Sequence, residues 1–211
     1  MYNLKKEIDK YYDHKERGSR ERTYFYISEA NKCSRALFYN LKNKTPKKFN
    51  ARVKRILENG DYMHQRYMKV FAEMRILIAA EVVPVKNELI SGRADCIISD
   101  GKDLYVIDLK SCSQWVFNSL AEPKEDDKIQ LMLYMYFFNI PRGILLYENK
   151  DNQTIKTFEI ELDKKRIEKL LKKLEDLKEK ISKNIEPDCE PSVDKCKYCD
   201  YKKTCEKAIQ L

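Results

Sequence analysis

The chain has 211 residues and a formal net charge of +8, with 43% hydrophobic and 36% charged residues. Its 14 Tyr and 8 Phe exclude a disordered chain, and 5 Gly with 6 Pro exclude collagen-like and low-complexity classes. No apolar run reaches the roughly 18 residues of a membrane-spanning helix. No apolar stretch follows the charged N-terminus, so we expect no secretory signal. These properties predict a single cytoplasmic domain over residues 1–211 without membrane contact.

The excess positive charge is confined to residues 1–60, which hold 16 Lys and Arg against 7 Asp and Glu. The rest of the chain is nearly neutral. A basic segment of this kind suits a polyanion, either nucleic acid or an anionic membrane surface. A solvated helical face has the same composition, so charge alone leaves both interpretations open.

Hydrophobic periodicity predicts helices at both ends of the chain and a sheet in its middle. Expected helices cover 2–17, 28–42 (capped by Ser28), 50–78, 125–139 and 163–184. A basic linker is expected over 43–49. Expected strands cover 81–86, 88–99, 103–111, 142–150 and 153–162, with hairpin turns at Asp100-Gly101 and around 150–152. The order of these elements predicts an α/β fold with a mixed central sheet.

The strand over 103–110 carries two charges on an otherwise apolar segment. Side chains alternate along a strand, so Asp108 and Lys110 share one face while Ile107 and Leu109 lie on the other. Burying both charges costs several kcal/mol unless they are paired or bind something. An ordinary ion pair explains the pattern, and so does a catalytic site.

The preceding strand contributes a second acid, Asp95. The turn at Asp100-Gly101 brings Asp95 and Asp108 near register in an antiparallel hairpin. Two carboxylates at one point repel each other unless a divalent cation lies between them. A lysine beside them can hold the attacking water or stabilise a pentavalent phosphate. Asp95, Asp108 and Lys110 together therefore indicate metal-assisted phosphodiester hydrolysis.

Two helices add polar groups that could serve such a site. His64 follows Gly60 by one helical turn, and this glycine would let another backbone approach. As a third metal ligand His64 would favour Mn²⁺ over Mg²⁺, although a lone helical histidine is commonly structural. Gln130 and Tyr134 share a helix face. They are either an interfacial pair or hydrogen-bond donors to a phosphate or the attacking water.

Seven cysteines form the remaining motif. An odd number argues against a disulfide framework, and Cys196, Cys199 and Cys205 have the C-x2-C-x5-C spacing of a metal centre. A fourth ligand could be Cys33, Cys96, Cys112 or Cys189. Cys189 is nearest in sequence, whereas Cys33 would tie the N-terminal helices to the tail. The spacing leaves zinc and an iron–sulfur cluster open.

In chain order these motifs resemble the CRISPR-associated Cas-four exonuclease family, which has the RecB-like nuclease core of the PD-(D/E)XK superfamily. The order is Cys33, Gly60-x3-His64, Gly92-Arg93-Ala94-Asp95, Asp108-Leu109-Lys110, Gln130-x3-Tyr134, then Cys196, Cys199 and Cys205. The resemblance implies a restriction-endonuclease-like core over 81–184. A helical part over 24–80 would supply Cys33 and His64, and 185–211 would form an iron–sulfur tail.

The resemblance also implies roles for individual residues. A 4Fe-4S cluster would be held by Cys33, Cys196, Cys199 and Cys205, with Cys189 a bystander. Mn²⁺ or Mg²⁺ would be held by His64, Asp95, Asp108 and the Leu109 carbonyl. Lys110 would be the catalytic lysine, with Gln130 and Tyr134 positioning this lysine and DNA. The first 23 residues and Ser111-Cys112 depart from the usual family pattern.

The implied activity is an exonuclease on single-stranded DNA, often from the 5′ end. Similar proteins trim new spacers in CRISPR adaptation beside integrase proteins, and viral and stand-alone relatives exist. The alternative is a non-catalytic nucleic-acid-binding module stapled by a zinc or iron–sulfur site. That module does not need the set of Asp95, Asp108 and Lys110. A redox sensor is a third option, and nothing in the sequence requires it.

Overall fold

The computed structural model describes residues 2–15, 22–42, 49–84, 88–197 and 199–208, so most of the predicted basic linker lies outside the described residues. The helices are α1 (Leu4–His14), α2 (Ser34–Lys42), α3 (Ala51–Glu73), α4 (Gln114–Ser119), α5 (Glu125–Phe138), α6 (Lys164–Ser182) and α7 (Val193–Lys197). The strands are β1 (Phe25–Tyr26), β2 (Leu77–Val82), β3 (Ile90–Ser91), β4 (Ala94–Ser99), β5 (Leu104–Cys112), β6 (Arg142–Asn149) and β7 (Ile155–Glu161).

Five strands form a mixed sheet in the order β2-β4-β5-β6-β7. Within this five-stranded sheet β5 and β6 pair in parallel and the other neighbours pair antiparallel, and the connection from β5 to β6 carries α4 and α5. The short strands β1 and β3 form a separate parallel pair. This arrangement of helices on a mixed sheet confirms the predicted α/β, restriction-endonuclease-like fold.

The sheet is covered on both faces, which explains why β5 is apolar on both sides. Val106 packs in the larger core with α2, α5 and α6. Ile107 and Leu109 pack in a smaller core against Met63 and Tyr67 of α3. The predicted alternation of β5 is therefore confirmed, and it directs Asp108 and Lys110 toward the α5 side of the sheet.

Both predicted hairpins form. β4 and β5 pair antiparallel around Asp100-Gly101, where Gly101 has a φ of 93°, a conformation that favours glycine. β6 and β7 pair antiparallel around the second predicted turn.

Two predicted helices are wrong in their boundaries. The helix expected over 50–78 ends at Glu73, because Arg75 takes a left-handed φ of 60° and the chain enters β2 at Leu77. The helix expected over 28–42 is divided into a 3-10 turn over Ile27–Glu29 and α2. Ser28 therefore does not cap a helix.

The N-terminal helix α1 lies in the first 23 residues, which do not match the usual family pattern. It packs against α3 through polar contacts. The buried Lys54 ammonium donates to the carbonyls of Tyr12, Asp13 and Lys15, which satisfies the C-terminal end of α1. Arg55 pairs with Asp9 at 2.7 Å. No described helix has both the length and the apolar character that a membrane span requires.

Candidate active site

The β4–β5 hairpin sets the two predicted carboxylates side by side. Cys96 pairs with Ile107 in this ladder, and continuing that register by one residue places Asp95 opposite Asp108. Residues opposite each other on antiparallel strands have Cβ atoms about 5 Å apart. Local alternation and a two-residue turn signal are therefore sufficient to bring these acids together.

Asp95 connects α3 to the sheet. Its Oδ1 lies 3.2 Å from Nδ1 of His64, and its Oδ2 accepts a hydrogen bond from the Leu109 backbone N–H at 2.7 Å. The hydrogen bond to Asp95 raises the pKa of His64, and burial acts to lower it. The charge of Asp108 and a hydrogen bond with the Leu109 backbone also raise this pKa, so the net shift is upward. His64 thus lies among the groups predicted to be metal ligands.

Asp108 is only 2% exposed, and its two oxygens have different surroundings. Oδ1 accepts a hydrogen bond from Nε2 of Gln130 at 2.9 Å. Oδ2 has no hydrogen bond of suitable geometry in the described structure, although the Lys110 ammonium lies 2.7 Å away as an ion-pair partner. Burial raises the pKa of Asp108 to about 7 against the opposing charge of Lys110.

Lys110 is held by several acceptors. Besides Asp108, its Nζ donates to Oε1 of Gln130 at 3.2 Å and lies 3.8 Å from Oδ1 of Asp127. Asp127 in turn accepts a hydrogen bond from the Tyr147 hydroxyl at 2.6 Å. Burial lowers the pKa of Lys110, but the charges of Asp108 and Asp127 outweigh it and leave a net increase. The ammonium form is therefore stabilised here.

Asp127 and Tyr147 were not predicted from the sequence. Asp127 stands in the first turn of α5 beside two other acids, where acidic residues are common because they complement the helix dipole. Lys110 pairs with Tyr147 across the parallel β5–β6 ladder. That register depends on a long crossover connection and leaves no local signal in the sequence.

Gln130 and Tyr134 share a helix but have different contacts. Gln130 bridges Asp108 and Lys110, as described above. The Tyr134 hydroxyl donates to the backbone carbonyl of Arg93 at 2.9 Å, and the ring is buried. Tyr134 therefore fixes the backbone just before Asp95, while Gln130 reaches the charged pair itself.

The expected role of Gly60 is wrong. A Cβ atom added there would meet nothing within 4 Å in the described part of the chain, so none of the described backbone approaches this turn of α3. The close approach occurs instead at Gly92, where a Cβ would lie 2.8 Å from the Tyr134 hydroxyl and 3.0 Å from Cβ of Ile27.

The chemistry of the donor set fits a divalent cation. The described residues contain no three His, Cys, Asp or Glu side chains already in metal-holding geometry. However, two carboxylates and an imidazole are adjacent, and the buried Oδ2 of Asp108 lacks a well-formed hydrogen bond. Carboxylate oxygens suit Mg²⁺ and Mn²⁺, and imidazole shifts the preference toward Mn²⁺.

The cysteines of the tail lie near α2. Sγ of Cys189 lies 3.9 Å from that of Cys33 and 3.5 Å from that of Cys205. Burial raises the pKa of Cys199, and the neighbouring Cys33 and Cys196 contribute. All seven thiols are free. The structure therefore places Cys189 among the predicted ligands rather than apart from them.

The fold is an α/β fold whose mixed sheet bears one acid on one strand and D-x-K on the next. The chain belongs to the PD-(D/E)XK nuclease superfamily, which its sequence matches over residues 9–206. No curated protein matches the sequence significantly.

Several solved structures have a similar fold. SSO0001 has a TM-score of 0.61 at 23% identity, covering 98% of this chain and 95% of that one. An alkaline exonuclease from Laribacter hongkongensis has a TM-score of 0.59 at 13% identity, covering 86% and 94%. A phage-related exonuclease from Haemophilus somnus has a TM-score of 0.54 at 13% identity, covering 76% and 94%. At these identities the likeness shows the fold.

Proposed function

We propose that this protein is a metal-dependent DNA nuclease that acts as an exonuclease, mainly on single strands. One observation carries the proposal: Asp95 and Asp108 stand on adjacent strands with Lys110 paired to Asp108. Two of the structural neighbours are themselves named exonucleases, and another structure of the Laribacter enzyme is a complex with dAMP. These neighbours support the exonuclease part of the proposal.

The metal ligands we propose are His64, Asp95, Asp108 and the Leu109 carbonyl, for Mn²⁺ or Mg²⁺. When bound, such a cation lowers the pKa of water and offsets charge on the phosphate. The protein holds these donors before any cation arrives, because Asp95 is hydrogen-bonded to the Leu109 N–H and to His64. These contacts support a set of donors whose arrangement does not depend on the cation.

Lys110 supplies a fixed positive charge. Gln130 and Asp108 hold its ammonium, so little reorganisation is needed when negative charge develops on a nearby phosphate oxygen. Gln130 has a linking role, because its amide nitrogen donates to Asp108 while its oxygen accepts from Lys110.

Cleavage of end-labelled oligonucleotides tests this function. Single- and double-stranded substrates, with the 5′ or the 3′ end blocked, would be incubated with Mg²⁺, Mn²⁺ or EDTA. We expect metal-dependent shortening of single strands, and Asp108→Asn should slow it at least about a hundredfold. Asp103→Asn, an exposed acid at the other end of β5 that pairs with Arg142, is the matched control. Undiminished cleavage by Asp108→Asn would overturn the assignment of Asp108 to the active site.

We further propose a 4Fe-4S cluster on Cys33, Cys196, Cys199 and Cys205 that ties the tail to α2. The support is the number of free thiols and the short distances from Cys189 to Cys33 and Cys205. Spacing and geometry are equally compatible with Cys189 replacing one of the four.

Iron content and visible absorbance of anaerobically purified variants decide the ligand set. Cys33→Ser should lose the absorbance and most of the iron, whereas Cys189→Ser and the remote Cys96→Ala should keep both. If Cys189→Ser loses the absorbance and iron while Cys33→Ser keeps them, then Cys189 and not Cys33 is the fourth ligand. If the wild-type protein contains zinc and no iron, then the cysteines form a zinc site and not an iron–sulfur cluster.

The biological setting we propose is spacer trimming in CRISPR adaptation, on the basis of the motif order alone. Co-expression with integrase proteins encoded beside this gene tests it. We expect a complex stable to gel filtration, and trimmed overhangs on the DNA that the integrase receives. A gene without such neighbours would favour a viral or stand-alone role.

A further inference from the structure

We propose that Trp115 forms a stacking site for a base of single-stranded DNA at the C-terminal end of β5, with the surrounding lysines contacting its phosphates. This inference deepens the nuclease function proposed above and rests on it. It assigns a part of the substrate path to residues outside the catalytic set.

Trp115 is the only tryptophan of the chain and is 75% exposed. It stands on α4, which begins two residues after β5 ends at Cys112. Alternation along β5 puts Cys112 on the same face as Asp108 and Lys110, about 7 Å beyond Lys110 at the usual rise per residue. The exposed indole is thus on the element that directly continues the catalytic strand.

The start of α4 is held tightly by the β6–β7 turn. The Gln114 backbone N–H donates to Asp151 at 2.7 Å. The Gln114 side-chain oxygen accepts from the buried Asn149 at 2.6 Å and from Asn152 at 3.0 Å. These contacts fix the residue immediately before Trp115.

The end of α4 is held as well. Phe117 is buried in the main core, and the Lys156 ammonium donates to the carbonyls of Phe117 and Leu120 at 2.8 and 3.0 Å. With both ends fixed, α4 presents Trp115 on a rigid support. A ligand that stacks on it loses little free energy in ordering the protein.

Lysines meet at this strand end. The Lys150 backbone N–H donates to the Cys112 carbonyl at 2.9 Å, and the Lys156 ammonium is bound to α4 as described. Burial raises the pKa of the Cys112 thiol and Asp127 adds to this, while the charges of Lys124, Lys156 and Lys150 oppose the rise. The Lys124 and Lys150 side chains are exposed. A single exposed aromatic residue is ordinary on a protein surface. Its combination with clustered lysines is the pattern of a single-strand binding groove.

The same chemistry selects single strands over duplexes. The faces of bases inside a duplex are already stacked on each other, whereas an unpaired base offers its face to an aromatic ring. A membrane surface would use the lysines but would place the indole in an apolar layer, and it would not require an origin on the helix that follows the strand of Asp108 and Lys110. The position of α4 directly after this strand favours DNA.

Intrinsic fluorescence tests the site directly, because Trp115 is the only source of tryptophan emission. The full-length protein would be titrated in EDTA, so that no cleavage occurs, with a single-stranded oligothymidylate and with an abasic strand of equal length. We expect the thymidylate to quench the emission and to bind at least about fivefold more tightly than the abasic strand.

Variants then separate stacking from general binding. Trp115→Ala should weaken oligothymidylate binding about tenfold by fluorescence anisotropy of labelled DNA, and remove the preference over the abasic strand. Trp115→Phe should keep most of both. Tyr2→Ala, which removes an equally exposed aromatic residue on the N-terminal segment, should bind like wild type.

The outcomes distinguish this inference from the nuclease proposal. Metal-dependent cleavage without quenching, with Trp115→Ala binding like wild type, would overturn the stacking site and leave the nuclease intact. Quenching and base preference without cleavage under any metal would overturn the nuclease and keep the stacking site. Equal binding of abasic and thymidylate strands would overturn the stacking site whether or not the protein cleaves DNA, since phosphate contacts alone would then account for the affinity.

Discussion

The Lys110 ammonium lies 2.7 Å from Oδ2 of Asp108, two residues earlier on the same strand and on the same face. The Lys110 side chain is 22% exposed and that of Asp108 only 3%. The lysine therefore stands between a buried acid and the surface. This position lets one ammonium compensate the buried charge and still reach a ligand outside.

Replacing Lys110 by Met should stop cleavage with little loss of DNA binding. Its charge is largely compensated by Asp108 and Asp127, so it adds little attraction for the phosphate backbone, but its fixed position stabilises developing charge. We expect single-turnover cleavage to fall at least about a hundredfold, while affinity in EDTA changes less than about threefold. Lys102→Met, in the exposed turn of the same hairpin, is the control. A large loss of affinity with normal cleavage would contradict this role.

Asp127 should position Lys110. Asp127→Asn removes one of the two charges that face the ammonium, and we expect kcat to fall about tenfold with KM within about twofold. Tyr147→Phe, which removes the hydrogen bond to Asp127, should have a smaller effect in the same direction, and Asp127→Glu should recover part of the activity. The adjacent Asp126→Asn is the control, because Asp126 accepts a hydrogen bond from Asn31 and an asparagine oxygen can accept the same bond.

A purely structural role for Asp127 predicts a different result. In that case thermal stability would fall together with activity, and KM would change as much as kcat. Steady-state kinetics and the unfolding temperature of the same preparations distinguish the two roles.

Local patterns in the sequence predicted the part of the site that lies within one hairpin. Alternation and the Asp100-Gly101 turn place Asp95 and Asp108 on adjacent strands, and the β4–β5 register agrees. The contact of His64 with Asp95 depends on how α3 packs on the sheet, so the sequence left His64 open between a metal ligand and a structural histidine, and the family resemblance assigned it to the metal. Asp127 was missed because its contact with Lys110 spans the crossover from β5 to α5.

Contacts between residues far apart in the sequence also explain why Gly60 was wrongly expected to allow the approach of another backbone. Whether a glycine is required depends on which atoms lie beside it in space. The residues next to Gly60 and Gly92 in the sequence do not reveal these spatial neighbours. The motif order identified the glycine before Asp95, but only the packing of Tyr134 and Ile27 shows why a side chain does not fit there.

Alanine substitutions at these two glycines should have opposite effects. Gly92→Ala should lower the free energy of unfolding by about 1–3 kcal/mol, because its methyl group would overlap the Tyr134 hydroxyl and Ile27. Gly60→Ala should raise it by about 0.5–1 kcal/mol, since the site is an open position inside α3. Urea unfolding at one pH measures both. Equal destabilisation by the two changes would show that the packing around Gly92 is not as described.

Glu190 should make the attachment of the tail sensitive to acid. It accepts hydrogen bonds from Ser34 of α2 and Lys173 of α6, and it lies 3.1 Å from the Lys195 ammonium. Burial acts to raise its pKa, but Lys173 and Ser34 outweigh this and lower the pKa to about 2. A depressed carboxylate pKa stabilises the folded state above the unfolded value of about 4.3, and that contribution disappears as the pH falls through about 2.

Glu190→Gln should therefore be less stable than wild type at pH 7, and the difference should narrow steadily between about pH 4.5 and pH 2. Urea unfolding across this range, on preparations of equal metal content, gives the comparison. Glu122→Gln, at an exposed position in the turn before α5, is the control and should match wild type throughout. A Glu190→Gln deficit that stays constant down to pH 2 would mean that shape complementarity, and not the charge at Glu190, secures the tail to α2 and α6.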